Sequence, residues 1–218
     1  MTTLKLEREI TLVMGMTGWG KSWWSKLYSL KWKNLLVYDP AMSFPEVIWG
    51  NLDEHVDSII GEESLDTFRC GFVDGEEVGR AGSISFVRQD NMLMIEECAS
   101  VFEKGQARLP EWAKRICFFG RHRDCSITLI AQRPTYIPID FRSQANRVIT
   151  FCQHEDSDMQ WLGDFFGKER MDRMLSIPKF TCFDWHDGKV NEYSIVEQVN
   201  QQFGVSLDRS RATDLSLV

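Results

Sequence analysis

The sequence predicts an α/β domain built on a mostly parallel sheet, and two observations carry that prediction. Near-continuous apolar runs alternate with segments of helical pattern, and the runs lie at 9–15, 34–40, 91–99, 125–134 and 146–152. Apolar runs without polar alternation are typical of parallel strands that helices cover on both faces. The chain length of 218 residues suits one large α/β domain and is short for two.

The other elements are predicted from local hydrophobic pattern and from turn-forming residues. Strands at 69–74 and 83–89 are expected to pair around the glycine-rich turn DGEEVGRAG. A C-terminal β-hairpin is expected from strands at 179–185 and 190–196, which the turn HDGK connects. The helical segments are 20–30, part of 44–61, 110–119, and one or two helices within 156–175 that are interrupted near Gly167. We expect residues 1–200 to form one domain and residues 201–218 a polar tail.

Composition limits the classes of function. The net charge of −7 and the pI of about 5.2 argue against a general nucleic-acid coat, although basic groups confined to one channel remain compatible with DNA. No run reaches the ~18 apolar residues that span a bilayer, and the N-terminus lacks the apolar region of a signal peptide. We therefore expect no membrane span in this chain. The six cysteines form no C-x-x-C pair and are predicted to be buried, reduced thiols.

A glycine-rich motif lies between the first strand and the first helix. Residues 15–22, GMTGWGKS, fit G-x-x-x-x-G-K-[ST] without a mismatch. The glycines let backbone N–H groups turn toward phosphates, Lys21 would reach the β- and γ-phosphates, and the Ser22 hydroxyl would hold Mg²⁺. The predicted cofactors are thus ATP and Mg²⁺. The predicted nucleotide-binding residues are Gly15, Met16, Thr17, Gly18, Trp19, Gly20, Lys21, Ser22 and Trp23.

Tryptophans surround this motif, and their roles stay open at this point. Trp19 either stacks on the base, lies at a subunit interface or packs in the core. Trp23 and Trp24 are adjacent on a helix and point about 100° apart, so one belongs to the core and the other faces elsewhere.

Two carboxylates end the apolar run MLMIEE. In a motor-type ATPase the first acid of such a pair supports Mg²⁺ and the second polarises the attacking water, which assigns Glu96 to the metal and Glu97 to the water. The first position is usually aspartate, so the choice between the two acids as metal ligand stays open. The alternative is a pair of solvent-facing acids at the end of a strand.

A third apolar run, 125–131, ends in Gln132-Arg133-Pro134. Ligands of a doubly wound sheet lie at the carboxyl ends of its strands, so Gln132 is expected beside the γ-phosphate or the water. The run 121–134, RHRDCSITLIAQRP, resembles the sensor segment of the FtsK/HerA superfamily of ring-forming, DNA-pumping ATPases. The resemblance continues through 146–151 to Asp156 and Asp158, covers most of residues 9–165, and implies a P-loop NTPase fold of the RecA/ASCE-like type.

A bare ATPase core of this size is similar to the genome-packaging ATPases of tailless icosahedral, often membrane-containing viruses. The resemblance implies a ring, hexameric or pentameric, that pumps double-stranded DNA at a capsid vertex, with capsid or portal proteins as partners and the host cytoplasm or virion vertex as location. It also implies an arginine from the next subunit at each nucleotide. Arg121 and Arg147 match the two motif positions, with Arg147 slightly preferred. The predicted catalytic residues are Glu97, Lys21, Gln132, Arg147 and Arg121.

Two segments are candidates for gripping DNA phosphates. One is the segment 73–83, which contains Arg80. The other is the segment 102–115, which contains Lys104, Arg108, Lys114 and Arg115. The alternative interpretation of 102–115 is a helix face exposed to solvent. The second is preferred because it directly follows the acidic strand.

Two other functions are considered. One is a small-molecule or nucleoside kinase, for which the sequence shows no arginine-bearing lid. The other is a non-motor nucleotide-binding assembly factor.

Overall fold

The protein folds around one nine-stranded sheet in the order β3-β4-β2-β5-β6-β1-β7-β8-β9. The structure is a computed structural model and describes residues 8–61, 65–103 and 108–203. The strands are β1 (Ile10–Met14), β2 (Asn34–Tyr38), β3 (Ile48–Trp49), β4 (Phe68–Phe72), β5 (Asn91–Ile95), β6 (Cys125–Ala131), β7 (Arg147–Thr150), β8 (Thr181–His186) and β9 (Lys189–Ser194). All pairs from β3 to β7 are parallel, whereas β8 and β9 run antiparallel. The predicted parallel sheet and C-terminal hairpin are both confirmed.

Helices cover both faces of this sheet. They are α1 (Lys21–Ser29), α2 (Leu52–Ile60), α3 (Val78–Arg88), α4 (Glu111–Lys114), α5 (Ile139–Gln144), α6 (Asp156–Phe166), α7 (Lys168–Arg173) and α8 (Ile195–Phe203). Alternate residues of each central strand enter different cores: Leu12 packs in the cluster beneath α2 to α6, and Val13 packs in the cluster beneath α1 and α8. This burial of both faces explains why the central strands are continuous apolar runs.

The strand order determines which chain segments meet. β1 lies between β6 and β7, with Met14 opposite Ala131 on one side and Thr150 on the other. β6 in turn separates β1 from β5. Because parallel strands end at the same edge, the segments that follow β1, β5, β6 and β2 converge there.

One predicted strand is wrong. Residues 83–89 do not pair with 69–74: residues 83–88 belong to α3, whose buried residues follow a helical spacing, and Gln89 is its C-cap. The run SISFV is rich in strand-forming types, but Gly82 lies beneath the indole of Trp112, and this packing favours the helix. Among the predicted helices, α6 and α7 meet at Gly167 as expected.

The C-terminal boundary differs slightly from the sequence reading. Helix α8 continues to Phe203, beyond the expected start of the tail at 201, and residues 204–218 lie outside the described part of the chain. Within the residues that the structure describes, no helix combines the length and the apolar character that crossing a bilayer requires.

The contact between α3 and Trp112 gives a stability prediction. A Cβ on Gly82 would lie 2.2 Å from Trp112 Cε3, so we expect Gly82→Ala to lower the free energy of unfolding by about 1–3 kcal/mol through overpacking. Gly163 in α6 is the matched control, because a Cβ there meets only Met171 Cγ at 4.0 Å. Gly163→Ala should stabilise the protein by about 0.5–1 kcal/mol. Urea unfolding of both variants measures the difference, and equal effects would contradict the packing account.

Candidate nucleotide site

The glycine-rich loop that follows β1 is held in shape by its neighbours. The Gly15 N–H donates to the Gln132 carbonyl at 3.3 Å and the Met16 N–H to the Cys152 carbonyl at 3.0 Å. Gly15 (φ 148°) and Gly20 (φ 113°) both adopt positive φ. A Cβ on Gly15 would lie 2.5 Å from the Cβ of Phe151. Glycine is therefore required at position 15 both by conformation and by the close approach of β7.

Lys21 and the start of α1 face the space inside this loop. The Lys21 ammonium donates to the carbonyls of Gly15 at 2.7 Å and Met16 at 3.2 Å. Burial lowers the pKa of Lys21, and the carboxylates of Glu96 and Glu97 partly oppose this effect. No side chain caps the first turn of α1. The loop thus gathers one cation and uncapped helix amides, a combination suited to a polyphosphate.

Glu96 lies opposite Ser22, although 74 positions separate them in the sequence. The Ser22 hydroxyl donates to Glu96 Oε1, while Glu96 Oε2 is buried and has no hydrogen-bond partner among the described residues. Burial raises the pKa of Glu96 to about 7. A hydroxyl beside a carboxylate with one unused oxygen fits the oxygen ligands that Mg²⁺ prefers, which favours Glu96 over Glu97 as the metal ligand.

Glu97 points in a different direction. Its carboxylate accepts from the Ala99 N–H at 3.4 Å and forms the N-cap of a short 3₁₀ turn. Glu97 and Gln132 both line one cavity of 510 Å³. The cavity is lined by Thr17, Gly18, Gly20, Lys21, Ser22, Trp23, Asp39, Pro40, Ala41, Glu96, Glu97, Gln132 and Phe180. The ends of β1, β2, β5 and β6 therefore surround one concave site.

The tryptophans near the loop differ in environment. Trp23 lines the cavity, and the Lys26 ammonium lies 5.4 Å from its ring centroid. Trp24 is buried in the core and stacks on Tyr28 with ring centroids 4.6 Å apart. Trp19 packs against both core clusters and is not among the residues that line the cavity. Trp23 is thus the tryptophan that faces the candidate ligand.

Four residues of the cavity wall were missed by the sequence analysis: Asp39, Pro40, Ala41 and Phe180. Asp39 is buried directly after β2 and accepts from the backbone N–H groups of Ala41 at 2.9 Å and Ser43 at 2.7 Å. Its position before a proline at a strand end was an available signal. Phe180 has a φ of 63°, unusual for an aromatic residue, and precedes β8. The return of β8 beside β7 brings it to the loop, and no local pattern indicates this.

The two candidate arginines lie in very different surroundings. Arg147 is only 12% exposed and donates to Asp184 through Nε at 3.1 Å and Nη2 at 2.7 Å. Its guanidinium also lies 3.5 Å from Glu9 and 5.2 Å from the Trp24 ring centroid. Burial opposes its charge, but the hydrogen bonds and charge of Asp184 outweigh that effect and raise the pKa of Arg147. This intramolecular pairing disfavours Arg147 as the residue that reaches a neighbouring subunit, although the sequence analysis slightly preferred it.

Arg121 is exposed in the 3₁₀ turn Gly120–His122 that precedes β6. The turn lies at the amino end of β6, and a Cβ on Gly120 would lie 2.9 Å from the carbonyl oxygen of Cys125, the first residue of that strand. The nucleotide cavity lies at the opposite, carboxyl ends of the strands. Arg121 therefore faces away from the cavity of its own chain.

The candidate DNA-gripping segments are only partly loops. Segment 73–83 forms a 3₁₀ turn and the first half of α3, and Arg80 pairs with Asp53. In segment 102–115, Lys104 lies outside the described residues and Arg108 is exposed. Lys114 and Arg115 form surface ion pairs with Glu111 at 3.9 and 3.5 Å. All six cysteines are buried and unpaired.

The elevated pKa of Glu96 leads to a prediction about pH and stability. Its folded pKa of about 7 exceeds the ordinary 4.5, so the folded protein keeps a proton that the unfolded chain releases between these values. Stability therefore falls as pH rises through this window, by at most about 3 kcal/mol. Glu96→Gln should remove this loss and be more stable than the wild type near about pH 8. Urea unfolding at several pH values tests this, and parallel pH curves for the two proteins would contradict it.

Solved structures share this fold across most of the chain. The genome-packaging NTPase B204 from Sulfolobus turreted icosahedral virus 2, in complex with ATP-gammaS, superposes with a TM-score of 0.69 at 14% identity over 86% of this chain and 97% of that chain. VirB4 of Thermoanaerobacter pseudethanolicus superposes with a TM-score of 0.60 at 8% identity, over 84% of this chain and 88% of that chain. The N-terminal domain of zonular occludens toxin from Neisseria meningitidis gives 0.54 at 12% identity, over 90% and 98%.

No protein-family model matches the sequence, and no curated protein matches it significantly. The superpositions show a shared fold. At sequence identities this low they show nothing more, so activity has to be argued from the site. The fold implied by the resemblance to the FtsK/HerA superfamily is confirmed. The chain has the P-loop NTPase fold of the B204 packaging enzyme, with the glycine-rich loop and the acidic strand at the same sheet edge.

Proposed function

We propose that this chain is an ATP-hydrolysing motor that translocates double-stranded DNA, in the packaging of a viral genome into a preformed capsid. The observation that carries the hydrolytic part is the contact between Ser22 of the phosphate loop and Glu96 after β5, beside Glu97 and Gln132. The fold shared with the B204 packaging NTPase supports the proposal that this hydrolysis drives DNA packaging. Residues 1–200 are proposed as the functional ATPase unit.

The phosphate chain of ATP would lie along residues 15–22. Lys21 would exchange its present carbonyl acceptors for β- and γ-phosphate oxygens, which are better acceptors because they carry charge. Ser22 and Glu96 would hold Mg²⁺, whose role when bound is to neutralise developing charge on the phosphate oxygens. Trp23, at the cavity wall next to Ser22, would border the nucleotide.

Glu97 is proposed as the general base. Its carboxylate is half-buried at the cavity wall and does not pair with Ser22, so it is available to accept a proton from the attacking water. Gln132 would hydrogen-bond that water or the γ-phosphate, since it ends β6 between the loop and the acidic strand. Asp39 would hold the opposite wall, because its own hydrogen bonds organise 41–43.

Subunits are proposed to form a ring, pentameric or hexameric, around duplex DNA at the capsid vertex, with capsid or portal proteins as partners. Arg121 is proposed as the residue that reaches the nucleotide of the next subunit, because it is exposed and directed away from its own cavity. The location is then the host cytoplasm or the virion vertex. DNA contacts would be made to phosphates and would weaken with salt.

The hydrolytic assignment predicts two distinct losses. Lys21→Ala should abolish both ATP binding and turnover, whereas Glu97→Gln should retain ATP binding and lower turnover by at least about a hundredfold. Phosphate release with and without duplex DNA measures turnover, and a fluorescent ATP analogue measures binding. The wild type should be stimulated by duplex DNA. Phosphorylation of a small acceptor without DNA stimulation would indicate the kinase alternative.

The two arginines should separate in a paired experiment. Arg147→Ala leaves the carboxylates of Asp184 and Glu9 without their cationic partner and should lower the free energy of unfolding by about 3–5 kcal/mol. Arg121→Ala should change stability by less than about 0.5 kcal/mol and should lower turnover.

Mixing subunits tests whether Arg121 acts across an interface. Mixed Arg121→Ala and Lys21→Ala chains form some interfaces that hold an intact Lys21 and a neighbour's intact Arg121, so the mixture should regain turnover that neither variant has alone. A mixture that stays at the sum of the two variants would contradict a role across subunits.

A further inference from the structure

A groove lies beside the nucleotide cavity at the same edge of the sheet. It has a volume of 330 Å³ and is lined chiefly by Met42, Trp49 and Val73. Met42 is 54% exposed and Val73 47% exposed, and the adjacent edge-strand residue Ile48 is 69% exposed. Exposed large apolar side chains that gather in one concave place mark an interaction surface. We call this place the β3 groove.

A projecting apolar pair lies at the opposite edge of the sheet. Phe118 and Phe119 are 42% and 55% exposed and are adjacent in the π-helical turn Arg115–Phe119. This turn replaces regular α-helix directly before the Gly120–His122 turn, and such irregular turns are frequent at functional sites. We call Phe118 and Phe119 the phenylalanine projection.

The charges around these two surfaces are complementary. Asp74 and Glu77 line the β3 groove, and Glu76 is exposed beside them. Arg115, which pairs with Glu111 at 3.5 Å, and Arg121 are exposed on either side of the phenylalanine projection, and Arg123 is exposed nearby, so the arginines outnumber this one acid. An acidic rim around an apolar groove and a basic rim around an apolar projection are suited to each other in sign and in shape.

We propose that the phenylalanine projection of one copy of this chain docks into the β3 groove of a second copy. The inference rests on the ring of the proposed function and names its contact surfaces. The groove and the projection are different surfaces at opposite sheet edges, so the contact is head-to-tail, and each added copy leaves one groove and one projection free until a ring closes.

This contact would connect the interface to the nucleotide. The Met42 N–H donates to the Asp39 carbonyl at 3.1 Å, and Asp39, Pro40 and Ala41 all line the nucleotide cavity. Arg121 follows Phe119 by two positions, so docking brings it to the wall that the groove and the cavity share. A ligand in the cavity would therefore adjoin the residues that hold the neighbouring copy.

Disulfide cross-linking of two variants that each carry one added cysteine tests the contact. The native cysteines are all buried, so Val73→Cys and Phe119→Cys each add one exposed thiol. Docking raises the local thiol concentration to the millimolar range, and the mixture should cross-link at least about tenfold faster than either variant alone. Met42→Cys with Phe119→Cys is a second pair, in case one variant folds poorly. Leu175→Cys, at a 67% exposed apolar residue of another surface, is the matched control partner for Val73→Cys.

The mixtures are oxidised at high protein concentration, with and without ATP-gammaS and duplex DNA. A cross-link from the groove and projection pairs in either condition supports the interface. No cross-link in both conditions, or one as fast as with Leu175→Cys, overturns it. The assay needs no hydrolysis, so the two proposals can fail separately. Cross-linking without DNA-stimulated turnover rejects the motor and supports the interface. DNA-stimulated turnover without cross-linking rejects the interface and supports the motor.

Discussion

The site depends on the packing of β1 between β6 and β7. This arrangement lets the loop after β1 receive a carbonyl from each neighbour, at Gln132 and at Cys152. It also requires a residue without a side chain at Gly15, because a Cβ there would lie 2.5 Å from the Cβ of Phe151, the residue directly after β7. Residues far apart in the chain reach one edge because parallel strands end in register. The chemistry of the cavity is therefore a consequence of strand order.

Polar groups at this edge are held in surroundings that disfavour them. Glu96 has a raised pKa and one unpartnered oxygen, the Lys21 ammonium has a lowered pKa, and Phe180 has a backbone conformation unusual for its type. Each feature costs free energy, and the proposed binding of phosphate and Mg²⁺ would offset the costs at Glu96 and Lys21. Such local conflicts are expected at functional sites, because the rest of the fold compensates for them. The two apolar cores on either side of the sheet are the compensating part.

The sequence predicts the parts of the site that local pattern encodes. The loop at 15–22, the acids after β5 and Gln132 after β6 can all be read locally, since each combines an apolar strand with a polar end. Asp39 and Phe180 belong to the same cavity, but their position depends on strand order and on the antiparallel return of β8. Residues 83–89 are predicted as a strand, but 83–88 form the second half of α3, because packing against Trp112, distant in sequence, overrides local propensity. The pairing of Arg147 with Asp184 likewise depends on the register of β7 and β8.

The network around Arg147 has a mechanical consequence. Trp24 donates through Nε1 to the Tyr193 hydroxyl at 2.8 Å, and Tyr28 donates to Glu9 at 2.5 Å, so α1 is tied to β9 and to the start of β1 through two side chains. Arg147 lies against both aromatic rings and adds a third tie, to β7. Helix α1 is thus fixed to the sheet through its middle and its C-terminal end. Displacement at the γ-phosphate would be taken up on the other side of the cavity, by the irregular segment 39–47 that leads to the β3 groove.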